Sequence, residues 1–264
     1  MAKRLLTSGI GLVVFFCVLA SPPIVFKIAL LFVTAGAIFE IHRAVTKNKV
    51  LTIIGLIISV GIYLCFMYDI LLAAIIGTLS LYMLLSVIFF GKEKVSTIYM
   101  LGFSNIVFSL FLSCLAGIRS EYSAYTVLLP FLFAWITDSG AYFTGCSIGR
   151  HKLAPNLSPK KTIEGSVGGI ISCVVLSMLY VFILDKCFSY TLFEGNNYLK
   201  ISVIAFIASI ISQLGDLASS AIKRDFEVKD FGNILPGHGG ILDRFDSVVF
   251  VSPVVYYILQ YLLK

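Results

Sequence analysis

The run SAIKRDFEVKDFGNILPGHGGILDRFDS, from Ser220 to Ser247, puts four basic residues, five acidic residues, a histidine and four glycines into a chain that is otherwise mostly apolar. Its surroundings govern its reading. The 264 residues are 59% hydrophobic and 13% charged, with a mean hydropathy of +0.99, whereas a soluble domain carries roughly 25% charge. The chain is therefore expected to be an all-α, polytopic integral membrane protein, with this polar run as a loop at one membrane face.

Working outward from that loop, stretches near the ~20 apolar residues that a spanning helix needs occur at 5–20, 24–41, 50–67, 70–90, 99–118, 124–146, 163–184, 199–218 and 248–263. Nine spans with the N-terminus inside place 15 of the 20 Lys and Arg residues in inside loops and five outside. That bias predicts N-in, C-out. The first stretch, behind Lys3 and Arg4 and ending before Pro22-Pro23, could pass for a signal peptide; eight further spans favour a retained helix. The net charge of +6 lies in short loops, which fits a cytoplasmic bias better than a nucleic-acid footprint. Six cysteines without a CxxC pair read as small buried hydrophobes, not as a disulfide frame or a zinc site.

Polar content gathers in two inside loops, 147–162 and 219–247, both in the C-terminal half. The expected organisation is a scaffold of helices over 1–118 and a catalytic part over 119–264. Asp138 falls about 21 Å along its span at 1.5 Å per residue, in the cytoplasmic half of the bilayer, and Asp216 reaches similar depth. A carboxylate inside a span is costly and faces a partner or a water-filled cavity. One alone is as readily structural as functional; two at matched depth beside polar loops point to function.

Asp243 and Asp246, three apart, share a face if a helix starts near Leu242. Carboxylate oxygens suit Mg²⁺, which takes one or two of them and keeps the rest of its shell for water and phosphates. Gly239 and Gly240, just ahead, let backbone amides approach an anion, and a helix start adds its positive end. Lys223, Arg224, Lys229 and Arg244 can neutralise phosphate oxygens. Together these are the parts of phosphoryl or nucleotidyl transfer. A solvated loop with positive-inside lysines explains the bases, but not the carboxylates and the glycine cluster among them. His238 alone is a weak signal, and no GxxxxGK[ST] run supports a P-loop.

In the other loop, Ser158-Pro159-Lys160-Lys161-Thr162 offers two caps for the next helix, Ser158 or Thr162. The plain structural reading is such a cap with two interfacial lysines. Its place on the same face as the carboxylates raises the prospect that Lys160 or Lys161 meets a phosphate. Glu164 is expected to pair with one of those lysines, and Tyr142, one turn after Asp138, to line the same cavity or simply to anchor the interface.

These elements closely resemble the signature of the phosphatidate cytidylyltransferases. The match runs through Ser220-Ala221-Ile222-Lys223-Arg224, Lys229-Asp230, Leu235-Pro236-Gly237-His238-Gly239-Gly240 and Asp243-Arg244-Phe245-Asp246. Ser158 to Thr162, Glu164-Gly165 and Gly215-Asp216 match as well. The resemblance covers the chain from about Asp138 onward; the earlier spans match only as variable apolar helices. It implies condensation of CTP with phosphatidic acid to CDP-diacylglycerol and pyrophosphate, by a homodimer in a bacterial inner membrane with its site on the cytoplasmic face. It also implies Mg²⁺ on Asp216 and Asp243, with K⁺ a candidate second cation and Asp246 a supporting residue. Lys223 and Arg224 then belong with the catalytic group. Ser220, Lys229, His238, Gly239, Gly240, Arg244, Lys160, Lys161 and Asp138 are expected at the substrates, with no nucleic-acid partner.

The chemistry agrees with that implication. A phosphate nucleophile is already ionised at neutral pH, so no strong base is required and His238 needs no catalytic role. Two rivals stay open. One is a related CTP-using enzyme, such as a polyprenol or phytol kinase or a CDP-archaeol synthase. The other is a secondary transporter with ion-coupling Asp residues, against which the absence of a visible inverted repeat and the clustering of charge on one face both argue.

Overall fold

The computed structural model describes residues 2–193, 195–234 and 239–262, with residues 2–8 and 262 described only as helix. Among the described residues nine helices follow in order: α1 (Ala2–Ala20), α2 (Pro23–Val45), α3 (Lys49–Met67), α4 (Leu71–Ile88), α5 (Val95–Glu121), α6 (Ala124–Ile148), α7 (Ile163–Phe188), α8 (Asn197–Asp225) and α9 (Leu242–Leu262). Between α6 and α7 lies an antiparallel hairpin of β1 (Lys152–Ala154) and β2 (Ser158–Thr162), which hydropathy gave no reason to expect. Among the described residues, seven helices, α2 to α8, are long and apolar enough to cross a membrane. Their outward side chains include Phe32, Leu72 and Val87, each more than 70% exposed. Large apolar side chains in that number suit lipid rather than water. The chain is a polytopic, helical membrane protein.

The helix starts follow local chemistry. Pro23 opens α2 at the position where a missing N–H costs nothing. The Asn48 side chain accepts from Val50 N at 3.0 Å to cap α3, and Ser123 accepts from Thr126 N to cap α6. Pro130 and Pro253 lie within α6 and α9, a pattern tolerated where neighbouring groups re-satisfy the freed carbonyls.

The chain divides into two compact units, one of residues 1–121 and 226–245, the other of 122–225 and 246–264. In the first, α5 packs on α2, α3 and α4 around a buried polar knot. Asn105 Oδ1 accepts from Tyr82 Oη at 2.9 Å and faces His42 Nε2 at 2.7 Å, while its amide donates to Gly55 O at 2.6 Å. Asn105 and His42 are fully buried, so each bond is made where water cannot substitute.

In the second unit, α6, α7 and α8 pack on one another, and the α6–α7 seam is lined by small residues. A methyl group added at Gly168 would strike Thr144, and one at Gly169 would lie 2.8 Å from the Thr137 carbonyl. Small residues let membrane helices approach closely enough for dispersion to hold them. Of the six cysteines, Cys114 and Cys173 are buried, but Cys17, Cys146 and Cys187 are exposed. The expectation of buried hydrophobes is corrected for those three. All six are free thiols.

Candidate active site

In the second unit a cavity of about 470 Å³ opens beside the hairpin. α6 contributes Asp138 and Tyr142 to its wall, the hairpin Lys152, Lys160 and Lys161, and α8 Gln213 and Asp216. Asp138, mid-helix in sequence, is exposed into this space and not packed in the core. Lys161 Nζ forms an ion pair with Asp216 Oδ2. Ser247 Oγ donates to Asp138 Oδ2 at 3.3 Å, and Gln213 Nε2 donates to Ser166 O at 3.3 Å, fixing α8 against α7. Asp138, Asp216 and Asp246 are close enough for their charges to repel, with Lys161 and Lys223 supplying positive charge nearby. Three carboxylates and two ammonium groups thus share one polar region, an arrangement able to hold a cation and phosphate oxygens side by side.

The hairpin explains how the lysines reach the cavity. Thr162, not Ser158, caps α7: its hydroxyl accepts from Gly165 N at 3.1 Å, while Ser158 begins β2. Glu164 pairs with neither lysine. Its carboxylate accepts from Arg150 N at 3.0 Å and His151 N at 3.2 Å and meets His151 Nδ1 at 2.6 Å. It therefore clamps the base of the hairpin and leaves Lys161 to Asp216. The expected lysine pair loses because the backbone amides of 150 and 151, at the start of the same hairpin, offer two convergent donors to one carboxylate, with the His151 ring beside them.

The glycine loop belongs to the first unit and is built differently. Asp243 Oδ2 accepts from Phe231 N at 2.9 Å and Gly240 N at 3.0 Å, tying the loop across its neck. Gly239 adopts φ +81°, a left-handed conformation that L side chains rarely enter. α9 begins at Leu242, so Asp243 and Asp246 do lie three apart on one helix. The amides at this helix start, however, point at a carboxylate of the protein itself. Ile241 N and Leu242 N donate to Glu40 Oε1 and Oε2, each at 2.9 Å. The amides of Gly240, Ile241 and Leu242 are thus taken by carboxylates of the protein itself, Asp243 and Glu40.

The other expected residues are placed as follows. Ser220, Lys223 and Arg224 are in the last turns of α8, where positive charge complements the helix's negative end. Lys229 and Arg244 are exposed in the first unit, and Gly240 is buried there. His238 lies outside the described residues. Sequence reasoning missed Lys152, Gln213 and Glu40. An Asp or Glu in an apolar span was the signal that could have found Glu40, as it found Asp138.

The carboxylates of the cluster offer oxygen ligands, the kind that a hard divalent cation such as Mg²⁺ prefers. Among the described residues no three His, Cys, Asp or Glu side chains converge on one point. Mg²⁺ asks for only one or two protein carboxylates, so the residues present fit it.

The sequence matches the Cytidylyltransferase family over residues 2–262. The chain belongs to that family. It is 34% identical over 279 residues to the phosphatidate cytidylyltransferase of Bacillus subtilis, covering 98% of this chain and 97% of the relative. It is 37% identical over 273 residues to that of Staphylococcus saprophyticus and 35% to that of Staphylococcus aureus strain COL, at 97% coverage of both chains in each case. The family match therefore takes in the glycine loop, the hairpin and the N-terminal helices alike.

Proposed function

We propose that the chain is a phosphatidate cytidylyltransferase, transferring the cytidylyl group of CTP to the phosphate of phosphatidic acid. A phosphate oxygen of the lipid bonds to the α-phosphorus of CTP, the bond to the β-phosphate breaks, and pyrophosphate leaves with its electron pair. The observation that carries this reading is the cavity in which Asp138 and Asp216 face Lys152, Lys160 and Lys161. Two polyanions can meet only where their repulsion is offset, and those lysines, with Lys223 and Arg224 at the end of α8, supply the charge. The Lys161–Asp216 pair keeps an ammonium oriented into the cavity before substrate arrives. Near-full-length similarity to enzymes named for phosphatidate favours this reading over a kinase or a transporter.

The rest of the proposal extends the sequence reading. Mg²⁺, held by Asp216 and Asp243, would supply charge neutralisation on the triphosphate, with K⁺ a second cation and Asp246 in support. Nine spans run N-in to C-out, and the site opens on the cytoplasmic face of a bacterial plasma membrane, where the lipid headgroup and soluble CTP are both within reach. The enzyme works as a homodimer, with a variable N-terminal scaffold and a catalytic C-terminal half.

Purified protein in lipid micelles, given phosphatidic acid, radiolabelled CTP and Mg²⁺ with and without EDTA, tests the core of this. Label from the α-phosphate should enter the lipid with matching pyrophosphate release, and EDTA should stop it. Transfer of only the γ-phosphate would point to the kinase, and no turnover in folded protein to the transporter.

A further inference from the structure

Glu40 lies on α2, among helices that the sequence marks as scaffold, yet its side chain is bound to the glycine loop. The residue is only 2% exposed. Its two carboxylate oxygens accept one amide each, from Ile241 and Leu242. The loop closes on it from two sides: a Cβ at either Gly232 or Gly240 would collide with the Glu40 side chain. No Lys, Arg or His among the described residues forms an ion pair with it. Burying a carboxylate costs several kcal/mol unless its lone pairs are met, and an apolar side chain would fill the same space without that cost. What an apolar side chain lacks is the ability to hold two amides at the first turn of α9.

Glu40 and Asp243 divide the work. Asp243 Oδ2 takes the amides of Phe231 and Gly240, and Glu40 takes the next two along the chain. Four amides around the loop neck and helix start are thereby fixed by two carboxylates. Asp243 stands on the first turn that Glu40 anchors, so its direction depends on both.

We propose that Glu40 is a positioning residue for cytidylyl transfer, fixing the glycine loop and the first turn of α9 so that Asp243 projects from a single backbone conformation. This rests on the functional reading above, and it makes an N-terminal helix part of the catalytic apparatus. Misplacing a reacting arrangement by about 1 Å can cost 10²-fold. Glu40→Gln, whose amide group turns an NH₂ towards one of the two donors, is expected to lower kcat about tenfold to a hundredfold while KM for CTP stays within about twofold. Glu40→Asp serves as a milder variant if the Gln protein is poorly folded.

Two further readouts separate positioning from bulk stability. Amide hydrogen exchange of residues 239–245 should speed up in Glu40→Gln while the helices of the second unit keep their protection. Gly232→Ala should cut activity, and combining it with Glu40→Asp, which withdraws the carboxylate by one methylene, should restore about tenfold of the loss. Unchanged exchange at 239–245 would overturn the clasp. Faster exchange with unchanged kcat would overturn the positioning role, as would a double variant no better than Gly232→Ala alone. If the unaltered chain makes no CDP-lipid, the functional reading falls and the catalytic half of this proposal with it, while the exchange measurement still decides the clasp.

Discussion

At the start of α7 the unpaired amides are served from close by. The Thr162 hydroxyl caps Gly165, and Glu164, in the first turn, folds back to hold the amides of 150 and 151. At the start of α9 the same need is met from 201 and 202 positions away, by Glu40 on α2. Both starts follow a polar loop singled out by composition, and both carry candidate site residues. The α7 start is assembled by its own sequence neighbourhood, so the hairpin backbone that carries the lysines is set within that segment. The α9 start is complete only when the N-terminal helices are in place. A loop whose geometry is set from that far away should be sensitive to changes that look remote, and the hairpin should not be.

The largest expected effects test whether the two loops fail differently. Asp216→Asn and Asp243→Asn should each cut turnover about 10²–10³-fold, comparable to removing one oriented charge-stabilising group. Their stabilities should part company. Asp216 faces a cavity and an ammonium, so its loss should leave the thermal midpoint in detergent close to that of the parent. Asp243 also holds two amides, and bonds to a charged acceptor contribute about 1.5–3 kcal/mol each, so Asp243→Asn should lower the midpoint by several degrees. Equal midpoints for the two variants would remove the structural role assigned to Asp243.

A smaller effect is expected on the hairpin side. Lys161→Met removes the ammonium opposite Asp216 and should slow turnover about tenfold to a hundredfold, with Lys161→Arg retaining most of the rate because charge is kept. If Lys161→Met and Lys161→Arg prove equally impaired, geometry rather than charge is what the site draws from this residue. Glu164→Gln should be milder still. The amides of 150 and 151 keep one acceptor, so turnover should fall about threefold or less, and a larger loss would show that the hairpin depends on the full carboxylate.

The helical spans were legible because a stretch of apolar residues needs no partner to be recognised: hydropathy located α2 to α7 to within about four residues at each end, and α8 except for its polar last turns, which run to Asp225. Asp138 and Asp216 were legible because a charge inside such a stretch is expensive wherever the chain folds. Tyr142, one turn on, followed from helical spacing, and it does line the cavity. What escaped depended on a contact that sequence distance hides. Glu40 appears in a span as one acid among apolar residues, and nothing near it names an amide some 200 positions away. The hairpin escaped because strands of three and five residues, one with Pro159 inside, carry too little alternation to register. Glu164 was assigned to a lysine because opposite charges were the visible signal. Backbone amides, which every residue carries, were the stronger partner and leave no mark in the sequence.

The smallest effect examines the local side of the comparison most directly. Thr162 does one definable job at the start of α7, accepting from Gly165 N, and its side chain is buried beside Gly145 and Gly149. Thr162→Ala removes the acceptor and should cost about 1 kcal/mol, the usual value of an N-cap. Thr162→Ser keeps the hydroxyl and loses only a methyl group, so it should recover most of that. Because the Thr162 cap is made within its own segment, the Ala variant should loosen the amides of 163–166 in hydrogen exchange and leave those of 239–245 as protected as before. Faster exchange in the glycine loop of Thr162→Ala would mean that the two starts are coupled, and the division between a locally built and a remotely built loop would have to be given up.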